Sequence, residues 1–183
     1  MADTTEPIAV IAWVGMGSNQ QEPRFQVARA RSALNGLPET RLAWVSQDYL
    51  SEPIGGVAQA PFVNAVARLE TRLSAAELLR ALHQIEEGAG RRRAVELVWG
   101  PRVLDLDLLL YGELQSQDSS LRLPHPEIAH RAFVLRPLAD YDAQMAIPGL
   151  GTIAELLPAV AEQKLWPLPA EADDSTRGLR QSC

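Results

Sequence analysis

Apolar positions along this chain switch between two periods. Residues 8–14 form an unbroken, β-rich apolar run, the pattern of a strand buried on both faces. Gly15-Met16-Gly17-Ser18-Asn19 interrupts it and reads as a loop. Pro23 is placed as a first helical residue. Val27, Ala30, Leu34 and Leu37 then recur at helical spacing, and Gly36 with Pro38 ends that helix. Residues 41–50 predict a second strand, and 51–61, with two prolines and two glycines, a loop. In 62–71 the alternation through Val63, Ala65, Ala67 and Leu69 predicts a third strand. Ser74-Ala75-Ala76-Glu77 is a capping box, and Leu78, Leu79, Leu82 and Ile85 give the stripe of a helix over 75–87. A long polar loop, 88–100, precedes a leucine-rich strand over 104–111. A hairpin turn at 111–114 leads to a short strand near 115–122. After a rigid Leu123-Pro124-His125-Pro126 loop come a helix over about 130–141 and a shorter one from Thr152, capped with Glu155.

The order strand, helix, strand, strand, helix, strand is βαββαβ. It predicts an α+β fold with a ferredoxin-like core: a mostly antiparallel sheet, helices on one face, and extra C-terminal helices. The other sheet face is left for a ligand. We expect a single domain over 1–160 and a mobile tail over 161–183, where the chain turns proline-rich and then acidic.

One strand carries unusual chemistry. Asp105 and Asp107 lie inside Leu104-Asp105-Leu106-Asp107-Leu108-Leu109-Leu110-Tyr111. Burying an unpaired carboxylate is costly, so each needs a cation or a donor. Side chains alternate along a strand, which puts both acids on one face, roughly 7 Å apart. Such a pair suits a hard cation such as Mg2+. Arg91, Arg92, Arg93 and Arg102 lie just upstream, and together the groups suit a metal-bound phosphate chain. By spacing alone, a salt-bridged sheet edge and a solvated arginine loop are the commoner outcomes.

Composition narrows the class. At 183 residues with a net charge of −6, the chain lacks the basic balance of a general nucleic-acid binder. Lys164 is the only lysine and the rest of the Lys/Arg set is arginine; arginine suits bidentate phosphate contacts, but a GC-rich coding bias is the commoner cause of such an overall skew, and the clustering at 91–102 is the informative part. Cys183 is the only cysteine, so no intrachain disulfide can form, as expected of a reducing compartment. The start of the chain lacks a signal-peptide layout and its apolar run is too short to span a bilayer. We therefore expect a cytoplasmic protein. Walker, dinucleotide-binding, His-Glu-x-x-His and Gly-x-Ser-x-Gly motifs are all missing.

Six segments in register then give a resemblance. Gly17-Ser18-Asn19, Ser51-Glu52-Pro53-Ile54-Gly55, Phe62-Val63-Asn64-Ala65, Gly90-Arg91-Arg92-Arg93, Trp99-Gly100-Pro101-Arg102-Val103-Leu104-Asp105-Leu106-Asp107, and Pro124-His125-Pro126 through Arg131-Ala132-Phe133-Val134-Leu135 together resemble the 6-hydroxymethyl-7,8-dihydropterin pyrophosphokinases, from about residue 8 to 158. The resemblance implies a Mg-dependent pyrophosphotransferase of folate biosynthesis. Such an enzyme moves pyrophosphate from ATP to the hydroxymethyl group of 6-hydroxymethyl-7,8-dihydropterin and releases AMP. Asp105 and Asp107 would hold two Mg2+, with Arg91 and Arg93 catalytic on a closing loop. Glu86, Arg93, Trp99, Arg102, His125 and Arg131 would bind ATP. Ser51, Pro53, Ile54, Phe62, Asn64, Trp99 and Phe133 would bind the pterin, with the two phenylalanines sandwiching its ring. The substrates would be these two small molecules, with no nucleic acid or membrane partner, and the protein a monomer. The arginine loop is one residue longer than the family pattern across 94–98, and Val98 stands where a basic residue is common. A non-catalytic ferredoxin-like domain binding a nucleotide or other small ligand is the alternative. Replacing either aspartate by alanine is expected to cost several orders of magnitude in turnover and leave the fold intact.

Overall fold

A computed structural model describes residues 8–53, 58–91 and 100–169. Its main sheet is antiparallel throughout. β1 (Val10–Ser18) lies between β4 (Phe62–Thr71) and β5 (Asp105–Tyr111); β4 also pairs β2 (Thr40–Val45) and β3 (Tyr49–Ser51). With α1 (Pro23–Asn35) and α2 (Ala75–Gly88) as crossovers, this is the expected ferredoxin-like core.

Alternation builds the two faces. Ala12, Val14 and Met16 of β1, Val63, Ala65 and Ala67 of β4, and Leu106 and Leu108 of β5 pack against Val27 and Leu34 of α1 and Leu78 and Leu82 of α2. Both halves of the capping box are made: Ser74 Oγ accepts from Glu77 N, and Glu77 accepts from Ser74 N. Helices occupy the opposite face too. α3 (Ala132–Asp142) places Val134, Leu135 and Leu138 against Trp13, Val66 and Leu109, and α4 (Ile153–Leu156) adds Ile153. The ligand face is thus only half open.

Three local readings change. Gly15 to Ser18 remain in β1, because that strand is paired on both sides and the ladder overrides the glycines. Residues 41–50 split into β2 and β3 around Ser46, whose backbone N–H bonds Val66 O and whose Oγ accepts from Val66 N. Residues 115–122 form a small hairpin of β6 (Ser116–Asp118) and β7 (Leu121–Leu123). A further hairpin, β8 (Ala146–Ile147) with β9 (Gly151–Thr152), precedes α4. The chain past 160 also contributes to the sheet. β10 (Leu165–Pro167) pairs β3 at the sheet edge, and Leu168 N donates to Asp48 O at 2.8 Å. Residues 170–183 lie outside the described residues. Among those described, no helix is long and apolar enough to cross a membrane.

Candidate functional site

The half-open face holds a cavity of about 190 Å³ between the sheet and the start of α3. Strand register assembles it. Gly17 pairs Asn64 on one side and Asp105 on the other, and Gly15 pairs Asp107. A glycine thus stands opposite each aspartate and keeps the floor low. A Cβ on Gly17 would come within 3.2 Å of Asn64 Oδ1. Asp105 and Asp107 point to the cavity, while Leu106 and Leu108 point to the core.

The two acids are engaged with cations to different degrees. Asp105 Oδ1 accepts from Arg91 at 2.5 Å and Oδ2 from Arg102 at 2.6 Å. Burial opposes its charge, but Arg102 and Arg91 outweigh burial and hold its carboxyl below the usual range. Asp107 behaves oppositely. Burial and the neighbouring charge of Asp105 push its carboxyl up, against the pull of His125 and Arg131. Its contacts are longer: Arg131 at 3.3 Å and His125 Nε2 at 3.8 Å. Glu127 N donates to His125 Nδ1 at 3.1 Å. That leaves the proton of the neutral ring on Nε2, facing Asp107. Burial lowers the pKa of His125, favouring this neutral form, although Asp107 pulls the other way.

The other end of the cavity is aromatic and amide-lined. Phe62, Phe133, Asn64 and Ser51 all border it. Asn64 and Ser51 are each 4% exposed, and Asn64 Nδ2 donates to Ser51 Oγ at 2.9 Å and to Phe62 O at 3.3 Å. The side-chain partner of Asn64 is therefore Ser51, placed by the β3–β4 register. Arg131 lies 5.6 Å over the Phe133 ring, joining the two ends of the site.

Some expected residues sit elsewhere. Arg91, expected on a closing loop, is 8% exposed, does not line the cavity, and donates to Glu86 as well as Asp105. Glu86 is fully buried; its Oε1 also accepts from Leu106 N at 2.7 Å, so it supports β5 from behind and lies off the cavity wall. Pro53 borders a neighbouring pocket with Phe133 and Gln163. Ile54, Arg93 and Trp99 lie outside the described residues. Asn19 was legible only as part of a motif. Its Oδ1 accepts from Arg102 N at 2.7 Å, and its Nδ2 donates to Gln59 Oε1 and Ala60 O at 2.9 and 3.0 Å. It ties the segment before β5 to the segment before β4. Asparagine at the end of a strand, followed by a turn, is the signal that could have found it.

The donor set suits a hard cation. Two carboxylates share one strand face at the cavity wall, and both present oxygen. Among the described residues, no three His, Cys, Asp or Glu side chains form a complete ligand cluster. Other ligands would come from substrate and water, as is usual for Mg2+.

Comparisons with known proteins point the same way. The family model described as 7,8-dihydro-6-hydroxymethylpterin-pyrophosphokinase matches residues 13–143. The 2-amino-4-hydroxy-6-hydroxymethyldihydropteridine pyrophosphokinase of Pseudomonas aeruginosa is 46% identical over 157 residues, 86% of this chain and 96% of that protein. The Haemophilus influenzae protein of the same name is 38% identical over 156 residues, 85% of this chain and 96% of that one. In structure, wild-type Plasmodium falciparum HPPK-DHPS with pterin and p-hydroxybenzoate aligns with a TM-score of 0.63 at 14% identity, over 84% of this chain and 43% of that longer chain. That likeness concerns the fold.

Proposed function

This chain belongs to the 7,8-dihydro-6-hydroxymethylpterin-pyrophosphokinase family, and from that premise we propose how its cavity performs the reaction. The enzyme transfers pyrophosphate from ATP to the hydroxymethyl group of 6-hydroxymethyl-7,8-dihydropterin, releasing AMP, in folate biosynthesis. The observation that carries our assignment of roles is the polarity of one cavity: paired acids and arginines at one end, two phenylalanines and a buried amide at the other.

Phe62 and Phe133 hold the flat pterin ring between them, and Asn64 with Ser51 reads its amide edge. This directs the hydroxymethyl group toward Asp107. Asp105 and Asp107 would hold two Mg2+, which would supply charge neutralisation at the transferring phosphates. Arg102 and Arg131 bind phosphate oxygens from fixed positions, and His125 donates its Nε2–H to another. The substrate alcohol is the nucleophile, so no protein nucleophile is needed. Asp107 orients that alcohol and accepts its hydrogen bond. Arg91 and Glu86 brace Asp105. We further propose a cytoplasmic monomer whose single domain extends beyond 160 to include β10.

Incubation with ATP, Mg2+ and hydroxymethyl-dihydropterin tests the reaction. Stoichiometric AMP and pterin pyrophosphate are expected. Release of ADP or orthophosphate would point to a different phosphoryl chemistry, and binding without turnover to a non-catalytic module.

A further inference from the structure

Arg131 occupies an unusual place. It is the residue immediately before α3, with φ −123° and ψ 111°, and its side chain makes no cap for that helix. Ser, Thr, Asp or Asn normally stands there, because a short oxygen-bearing side chain satisfies the first free N–H groups. Here the position is committed to a cation that reaches Asp107 and the Phe133 ring. The missing cap comes from far downstream in the chain. Gln163 Oε1 accepts from Ala132 N at 2.9 Å, and Gln163 Nε2 donates to His130 O at 2.8 Å.

Those two groups belong to the peptide units on either side of Arg131. One amide side chain therefore grips the backbone before and after the arginine, at the helix start that also carries Phe133. Gln163 is itself anchored by the strand C-terminal to it. Leu165 pairs Ser51, and Arg24 donates to Pro169 O at 2.6 Å. The segment that fixes Ser51 on one wall of the ring site thus fixes Arg131 and Phe133 on the other.

We propose that Gln163 is a positioning residue for pyrophosphoryl transfer, acting through the backbone of Arg131 to set the separation between the phosphate contact and the pterin-stacking ring. This rests on the roles given to Arg131 and Phe133 above. Displacing a contact by about 1 Å costs up to about 100-fold in turnover. For Gln163→Ala we expect kcat/KM to fall about tenfold or more, with KM for the pterin rising. Gln163→Glu keeps the acceptor for Ala132 N and loses the donor for His130 O, so it should recover part of that loss. Lys164→Ala breaks only the exposed Lys164–Glu52 pair at 3.1 Å and should leave kinetics unchanged.

The test is steady-state AMP release and pterin binding by the full-length protein, well below each variant's melting midpoint, with Arg131→Ala in parallel. If Arg131→Ala is impaired while Gln163→Ala matches wild type in kcat and both KM values, the proposal is overturned and the glutamine is structural only. If Arg131→Ala is itself fully active, the assignment of Arg131 fails, and the proposal with it. Should Gln163→Ala not fold, Gln163→Glu decides: a pterin KM above wild type supports the proposal, and wild-type kinetics overturns it.

Discussion

Asp105 and Asp107 look equivalent in sequence, yet they should respond differently to removal. Asp105 bridges two guanidiniums, and its side chain and those of Arg91 and Arg102 are 20%, 6% and 24% exposed. Deleting one partner of a buried ion pair costs about 3–5 kcal/mol. Partial exposure of Asp105 and Arg102 lets water replace some of that, so about 2–3 kcal/mol is expected for Asp105→Ala. For a chain of this size, each kcal/mol moves the melting midpoint by roughly 2–4 °C, giving a fall of roughly 4–12 °C. Asp107 is pushed toward protonation by burial and by Asp105. Asp107→Ala removes that repulsion and should leave the midpoint within about 2 °C. Both variants should lose at least about 100-fold in turnover, as expected when charge stabilisation is removed. The assays are thermal unfolding without Mg2+ and AMP release with it. Acidification gives a second reading. The folded carboxyl of Asp105 titrates below its unfolded value, so its stabilisation is complete above the unfolded pKa and is lost as pH falls through the folded one. Wild type should therefore lose more stability in acid than Asp105→Ala. Equal midpoints for the two alanine variants would refute the bridging argument.

Asn64→Ala should raise the pterin KM about 5–30-fold with a smaller effect on the ATP KM, measured by varying each substrate, since one or two buried hydrogen bonds are lost. Chelating Mg2+ should abolish AMP release and leave pterin binding detectable by fluorescence quenching, because the proposed cation ligands, Asp105 and Asp107, are not among the proposed ring contacts Phe62, Asn64, Ser51 and Phe133. Ser74→Ala should destabilise the fold by about 1 kcal/mol through loss of the capping box and leave kinetics unchanged; denaturant titration measures it.

The strand bearing the two aspartates, the Phe62–Thr71 strand and the Ser74 capping box were legible because local pattern and tertiary role agree there. The shared face of Asp105 and Asp107 follows from strand alternation alone. Elsewhere partners distant in sequence decided. Gly15 and Gly17 read as a loop because glycine weakens strands, but pairing with β4 and β5 keeps them extended. Arg91 opens a run of three arginines and so reads as solvated; the buried Glu86 that claims it is visible only in three dimensions. The stability cost expected for Asp105→Ala was hidden in the sequence for the same reason. Gln163 was invisible, because nothing local tells a glutamine which helix it will cap.

The resting site already contains the counterions for every charge it displays. A bare nucleotide would have to strip guanidiniums from their acids, and a bare cation would have to strip acids from their guanidiniums. Arriving together, they offer each protein group a replacement of the right sign. On the roles proposed, the two ligands therefore exchange partners with the protein in one concerted swap, and each should tighten the other's binding by the same factor.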